Sequence, residues 1–479
     1  MGKKDELLLR IRQHGKLSTA EQLQLTVLLA LPAILAQVSS VLMYYIDDAM
    51  VGSLGARATA SIGLVATSLW LFWSIISCIA TGFSVQVAHL VGANDLRGAR
   101  DVFRQSMAAS MVLALLTMAV GVAVSGRLPF WLGGGTDIAS DASLYFLIFV
   151  LGAPLAMTNF LTAAMLRCAG NIKVPSLANV VMCVLDVGFN FLMIFPTRTV
   201  AVGGFMLTIP GVGWGVPGAA VGTLLAEGVV AAYLLWYAVC RSPELKLMDE
   251  SGSFRPQKAT LKKATDIAGP IFLQRVLMNI AQIVTTVIVA PLGAVAIAAN
   301  TLGITAESLC YMPGYGIGEA ATTLVGQSKG AGRQRLTARF AWMTTLLGMA
   351  VMTLMGIVMF VAAPLMMASL TPDEAVRQLG TECLRIEAWA EPGFAASIVA
   401  MSCFIGVGDT KKPALMNLFS MWAVRVTLAA LLAPRYGLHG VWLGMAIELT
   451  FRGAIFLARL FYKTHKPLSP VISQSQTNT

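Results

Sequence analysis

Charge is scarce in this chain of 479 residues. Asp, Glu, Lys and Arg make up 12% of it, while hydrophobic residues make up 57%. A soluble globular protein is typically about a quarter charged and about half apolar. The deficit excludes a disordered or collagen-like chain and argues against a water-soluble enzyme. A mean hydropathy of +0.74 points the same way. Enzyme signatures are missing too. No H-E-x-x-H, G-x-S-x-G or Walker A pattern occurs, and the G-x-G-x-x-G of Gly213 to Gly218 precedes an apolar stretch instead of following a Rossmann strand. The seven Cys form no C-x-x-C pair, so neither a zinc site nor a disulfide framework is supported. Residues 1–24 carry Asp5, Glu6 and Glu21 and no short apolar run with a small-residue cleavage site, so no cleavable signal peptide is expected.

What the chain has is apolar length. A helix needs about 20 mostly apolar residues to cross a bilayer. Twelve such spans are expected, near 25–50, 58–90, 103–124, 142–166, 175–195, 217–240, 265–290, 296–325, 340–362, 380–405, 413–433 and 438–462. The net charge of +10 would suggest nucleic acid in a soluble domain, but its placement gives it another meaning. Of the 34 Lys and Arg, 25 fall on one side of the spans. Five fall on the other (Arg57, Arg127, Arg198, Arg377, Arg435), and four lie within spans (Arg275, Arg385, Arg425, Arg452). Cytoplasmic loops carry the Lys and Arg excess, so both termini are expected in the cytoplasm. The partner is then a lipid bilayer, with no nucleic acid.

Shifting the chain by 238 residues partly superposes it on itself. Pro32 falls on Pro270, Leu54-Gly55 on Leu292-Gly293, Pro154 on Pro392, Gly170 on Gly408, Pro175 on Pro413 and Asn179 on Asn417. With a small register change, Gly215, Gly218 and Gly222 match Gly437, Gly440 and Gly444. The expected fold is therefore an all-α polytopic membrane protein of twelve transmembrane helices in two six-helix bundles. Six is even, so the bundles are related by a pseudo-two-fold along the membrane normal, a common transporter plan. The divisions are 1–240 for the N-terminal bundle with its cytoplasmic segment, 241–264 for a cytoplasmic linker, 265–462 for the C-terminal bundle and 463–479 for a polar cytoplasmic tail, expected to be disordered.

An acid inside the apolar layer is costly, so intramembrane acids are functional candidates by default. They are Asp47 and Asp48 in span 1, Asp186 in span 5, Glu227 in span 6, Glu307 and Glu319 in span 8, Glu387 and Glu391 in span 10, and Glu448 in span 12. Such an acid must be protonated, bind a cation or meet water. Asp186 and Asn190 are four apart and share one helix face. Asp47 follows Pro32, which removes a helix hydrogen bond and permits a hinge. Asp48 is expected at a solvated helix end. Glu387 and Glu391 share a face with Arg385 close in sequence, which leaves a structural salt bridge open. Glu227 and Glu307 stand alone, and Glu448 has Arg452 at i+4, which favours a helix-stabilising pair. Arg275 and Arg425 are candidates to neutralise second-half acids. His89 and His439, near helix ends, are expected to be structural.

Several segments together resemble the multidrug and toxic compound extrusion (MATE) transporters. They are Leu31-Pro32 opening span 1, Asp47-Asp48-Ala49-Met50-Val51-Gly52-Ser53-Leu54-Gly55, Val91-Gly92-Ala93-Asn94, Arg167-Cys168-Ala169-Gly170-Asn171-Ile172-Lys173-Val174-Pro175 and Gly406-Val407-Gly408-Asp409-Thr410-Lys411-Lys412-Pro413. The likeness covers nearly all of 25–460. It implies a V-shaped pair of bundles and cation-coupled export of organic, often cationic, compounds. Asp47 matches the family's cation-carrying Asp in helix 1; Asp48 does not. Bacterial members often place Asn then Asp four apart in helix 5, and here the order is inverted. The family's acid in helix 7 has no counterpart, since that span offers Arg275, Asn279 and Gln282 and no carboxylate.

The expected function is a secondary active antiporter of a bacterial inner membrane, working as a monomer by alternating access. It would export organic, cationic and amphipathic small molecules in exchange for H⁺ or Na⁺. Asp47, Asp186 and Asn190 are the coupling candidates, with Na⁺ as the one metal ion Asp47 and Asp186 would hold, and Pro32 is the hinge. Glu307, Glu387, Glu391, Thr158 and Asn159 are candidates for substrate contact or a second-half site. No cofactor is expected. The rival within the same broad superfamily is a lipid-linked saccharide flippase. A membrane-embedded enzyme and a passive channel are rivals of other classes.

Overall fold

The computed structural model describes residues 2–202, 205–248 and 252–465. A short amphipathic helix opens the chain, α1 (Lys3–Arg12), burying Leu7, Leu8 and Ile11. Then follow α2 (Thr19–Gly52), α3 (Ala56–Gly92), α4 (Leu96–Ser125), α5 (Leu128–Trp131), α6 (Thr136–Leu151), α7 (Ala153–Cys168) and α8 (Lys173–Ile194). An antiparallel hairpin, β1 (Pro196–Val202) and β2 (Phe205–Val212), is the departure from helix among the described residues. The chain continues through α9 (Val216–Cys240), α10 (Lys258–Val289), α11 (Ala294–Gly330), α12 (Gln334–Leu370), α13 (Glu374–Ala388) and α14 (Glu391–Val407). It ends with α15 (Lys411–Phe419), a π-helical turn (Ser420–Val426) and α16 (Thr427–His465). Most of the expected polar tail, from residue 466, lies outside the described residues.

These helices supply the twelve expected spans. Seven single helices are long and apolar enough to cross a bilayer. Two more spans are broken ones, α6 with α7 bent by 48° and α13 with α14 bent by 60°. α11 is as long, its apolar run interrupted by Glu307 and Glu319. The 55-residue run Lys411–His465 is two spans, because the backbone leaves the helical region at Gly437 (φ 60°, ψ −140°). Spans must satisfy their backbone groups internally, and Pro or Gly breaks are tolerated where neighbouring helices cover them.

The internal repeat is conformational. Gly55 and Gly293 have φ of 106° and 99°, Gly170 and Gly408 100° and 82°, Gly215 and Gly437 59° and 60°. Each pair sits where a Cβ would be strained. Both broken spans carry a Pro at the second position of their second helix, Pro154 and Pro392. Proline there removes the hydrogen bond that would carry the helix across the break.

The chain divides into two compact units, Leu35–Val87 with Leu96–Val276, and Met1–Ile34 with Ala88–Asp95 and Leu277–Thr479. In the first, Val65, Phe72 and Ile76 of α3 pack on Phe146, Phe149 and Met157 of α6 and α7. In the second, Trp442 of α16 is buried and donates from Nε1 to Asn300 Oδ1 at 3.0 Å. Lipid tails are as apolar as these side chains, so close packing rather than exclusion of water holds such contacts. Both chain ends meet the same side of the second unit. Arg333 donates to the Arg10 carbonyl at 3.1 Å, and Trp342 Nε1 donates to Thr464 Oγ1 at 3.1 Å.

Close packing on glycine makes a prediction. A Cβ at Gly92 would lie 2.1 Å from the Gln327 carbonyl oxygen, whereas one at Gly63 would meet nothing within 4 Å. Gly92→Ala is expected to lower the melting temperature in detergent, at a cost of about 1–3 kcal/mol for the overpacking. Gly63→Ala is expected to leave it unchanged or raise it.

Candidate functional site

The first unit gathers its acids around one amide. Asn190 Nδ2 donates to Asp47 Oδ1 at 3.0 Å and to Asp186 Oδ2 at 3.1 Å. Asp186 and Asn190 are 0% and 1% exposed, and Asp47 is half-buried. The Thr223 hydroxyl of α9 stands 3.5 Å from Asn190 Nδ2. Two acceptor oxygens, Asp186 Oδ1 and Asn190 Oδ1, are buried without a hydrogen-bond partner. Acceptors in this state suit a proton or a small cation, either of which would also relieve the repulsion between two carboxylates.

Glycine brings the helices together here. A Cβ on Gly222 would sit 2.2 Å from Asn190 Oδ1, and one on Gly218 would sit 2.4 Å from the Met193 carbonyl oxygen. The pair, four apart on α9, makes the small-residue groove by which membrane helices approach closely. Two partners of this site had no sequence signal of their own, Thr223 and the clamp beside Pro32. In that clamp Asn179 Nδ2 donates to the Ala36 carbonyl at 3.0 Å and to Ser40 Oγ at 2.8 Å. Asn179 showed only as a repeat landmark.

Glu227 does not stand alone. Asn159 Nδ2 donates to its Oε1 at 3.3 Å, because α7 and α9 face each other at that level. Thr158, the neighbouring candidate, spends its hydroxyl on the Pro154 carbonyl at 2.8 Å. Asp48 is exposed.

The second unit holds a larger cluster. Glu387 and Glu391 are each 0% exposed, and none of their four carboxyl oxygens has a hydrogen-bond partner. Glu307 is buried close enough to interact with both electrostatically, and the Arg425 guanidinium acts on Glu307 and Glu387. Glu391 opens α14 directly after the bend, where the positive helix end favours an acid. Arg425 lies in the π-helical turn, a distortion often found at functional sites. Its Nη2 contacts Met445 Sδ. Glu448 is fully paired: Arg452 donates to it twice, at 2.7 and 2.6 Å, and Ser420 Oγ once, at 2.5 Å.

Two sequence expectations need correction. Arg385 forms no salt bridge with Glu387 or Glu391. Those acids face inward, while Arg385 is exposed, with its guanidinium 5.5 Å from the Phe360 ring centre and its Nε 3.4 Å from the Phe360 carbonyl oxygen. Arg275 belongs to the first unit and is exposed. The seventh span does carry a carboxylate, Asp266, the second residue of the expected 265–290 run; it is exposed in the first turns of α10. His89 contacts the Gly406 carbonyl oxygen at 2.7 Å and His439 the Glu382 carboxyl at 2.6 Å.

The MatE family model matches residues 32–192 and again 270–431. The chain belongs to the MatE family. The two matches begin at Pro32 and Pro270, the shift at which the sequence superposes on itself. A protein of Thermotoga maritima described as a probable multidrug resistance protein NorM is 25% identical over 440 residues, 91% of each chain. A solved outward-facing multidrug resistance MATE transporter shares the fold at a TM-score of 0.86 and 20% identity, covering 97% of this chain and 100% of its own. A transporter of the wider superfamily from Pyrococcus furiosus shares it at 0.85 and 19% identity, covering 95% and 97%. This MatE protein is thus a multi-pass membrane transporter, and its relatives are transporters rather than enzymes.

The paired and unpaired acids of the second unit should respond differently to mutation. Arg452→Met leaves Glu448 buried without its partner, and breaking such a pair costs about 3–5 kcal/mol. A marked fall in melting temperature is expected, largely restored when Glu448→Gln is added. Glu391→Gln, which breaks no hydrogen bond, is expected to melt at or above the parent temperature.

Proposed function

We propose that this MatE protein is a multidrug efflux antiporter. It exports organic, cationic and amphipathic compounds in exchange for H⁺ or Na⁺, as a monomer in a bacterial cytoplasmic membrane with both termini inside. The observation that carries the reading is the trio Asp47, Asp186 and Asn190, with its two buried, partnerless acceptor oxygens. The name of the Thermotoga relative supports the substrate class. The split of 25 cations against five supports the orientation.

The mechanism follows from charge. With no cation bound, two carboxylates share one Asn amide inside the apolar layer, a costly arrangement. A proton or Na⁺ entering between Asp47 and Asp186 removes that cost, and a cationic substrate relies on the same negative charge. Loading and substrate binding therefore oppose each other, which is the condition for exchange. α2 is the moving part of this reading. The division between the two compact units falls between Ile34 and Leu35, two residues past Pro32. A proline-weakened helix can bend there without breaking a further hydrogen bond. Glu307, Glu387 and Glu391 would add negative potential for the organic cation, with Arg425 limiting their net charge.

Two measurements test this. In proteoliposomes with an imposed ΔpH or ΔNa⁺, Asp47→Asn and Asp186→Asn are expected to abolish gradient-driven export of an organic cation. Asp48→Asn should export like the parent. Undiminished export by Asp47→Asn sinks the proposal. Glu391→Gln is expected to weaken binding of organic cations while cation-driven exchange persists. Weakened binding of neutral substrates to the same degree would assign Glu391 a packing role instead.

A further inference from the structure

The bend between α13 and α14 opens a groove on the outside of the second unit, with a volume of about 920 Å³. Its walls are α13 and α16, with Phe360 of α12 at one edge. The groove is graded. At the α16 start, on the side opposite the chain ends, stand His439, Glu382 and Arg385. Deeper lie Trp389, Leu443, Ile447 and Phe451. From His439 to Phe451 is twelve residues of helix, about 18 Å, which takes the groove from the interface toward mid-membrane. Trp389 is 79% exposed at this depth, so the groove is open rather than enclosed.

Its charges are arranged for a head group. Arg385 has no carboxylate partner. Only its Nε is engaged, with the Phe360 carbonyl, so both terminal nitrogens remain to grip a phosphate in the forked geometry guanidinium favours. One turn closer to the interface, Glu382 receives His439 on Oε2 and Gln378 on Oε1 at 3.4 Å, and keeps acceptor capacity for a further donor. An isolated cation would suit any anionic lipid. A cation with a carboxylate three residues away suits a head group that carries an ammonium beside its phosphate. A primary ammonium can donate hydrogen bonds to Glu382, whereas a quaternary one cannot.

We propose that this groove is a binding site for one phosphatidylethanolamine molecule from the leaflet opposite the chain ends. Its phosphate lies on Arg385, its ammonium on Glu382 and its chain along Trp389 and Ile447. The site is separate from the coupling trio and does not depend on the transport reading.

Brominated-chain lipids quench nearby tryptophan, and the difference between the parent and Trp389→Phe isolates the Trp389 signal. Brominated phosphatidylethanolamine, phosphatidylcholine and phosphatidylglycerol are titrated in turn into the detergent-purified protein. Quenching of Trp389 is expected to saturate for phosphatidylethanolamine at a Kd about tenfold below the other two, the factor one charge-assisted hydrogen bond supplies. Arg385→Gln should weaken binding of all three lipids, since each offers Arg385 the same phosphate. Glu382→Gln should remove the preference over phosphatidylcholine while phosphate-dependent binding remains. Both residues are at least partly exposed, and an unchanged melting temperature confirms that each variant is folded. Equal Kd values for the three lipids in the parent, unweakened binding in Arg385→Gln, or an unaltered preference in Glu382→Gln would overturn the proposal.

Discussion

A carboxyl group within the apolar layer has no water to turn to, so the protein must supply its partner. Much of this structure follows from how each buried acid meets that demand. Asp47 and Asp186 share the Asn190 amide, Glu227 takes Asn159, and Glu448 takes a two-point grip from Arg452 and a hydroxyl from Ser420. Glu387 and Glu391 take no hydrogen bond at all. A fully paired acid is a structural element, because any change of charge leaves its partner stranded. An acid with spare acceptor oxygens is one whose charge can change in function. On this criterion Glu448 belongs to the framework, while the trio of the first unit and the open acids of the second keep the acceptor capacity on which the proposed exchange relies.

The helices can present these groups only because their backbones come close, and glycine sets that distance. Gly218 and Gly222 let α9 sit on α8 at Met193 and Asn190. Gly440 and Gly444 do the same between the two ends of α16, against Leu432 and Leu428. Proline works differently. Pro154 and Pro392 each break a span, and the second break places Glu391 at a helix start and opens the groove beside Trp389. One sequence device repeated at 238 residues thus yields broken spans in both halves, while the side chains placed on them differ.

The fold was legible because its signals are long and redundant. Twelve apolar runs, a cation bias and a repeat of Gly and Pro all report on the membrane, which acts on every span alike. The site was legible where spacing sufficed: Asp186 and Asn190 share a helix face, and Glu448 meets Arg452 at i+4. It was illegible where contact depends on a neighbouring helix. Arg385 lies two residues from Glu387, and two residues on a helix turn a side chain to nearly the opposite face, so proximity in sequence misled. Asn159 reaching Glu227 across 68 positions, or Thr223 meeting Asn190 across 33, had no local signature.

The same reasoning separates the two intramembrane arginines of the second unit. Arg452 is buried, and its charge is matched by a carboxylate on its own helix. Arg425 is held in a π-helical turn among Glu307, Glu387 and Glu448 without a dedicated partner, its Nε left without a hydrogen bond. A guanidinium cannot lose its proton in a protein, so Arg425 fixes one positive charge in the cluster at every pH. The acids around it must then carry the variation.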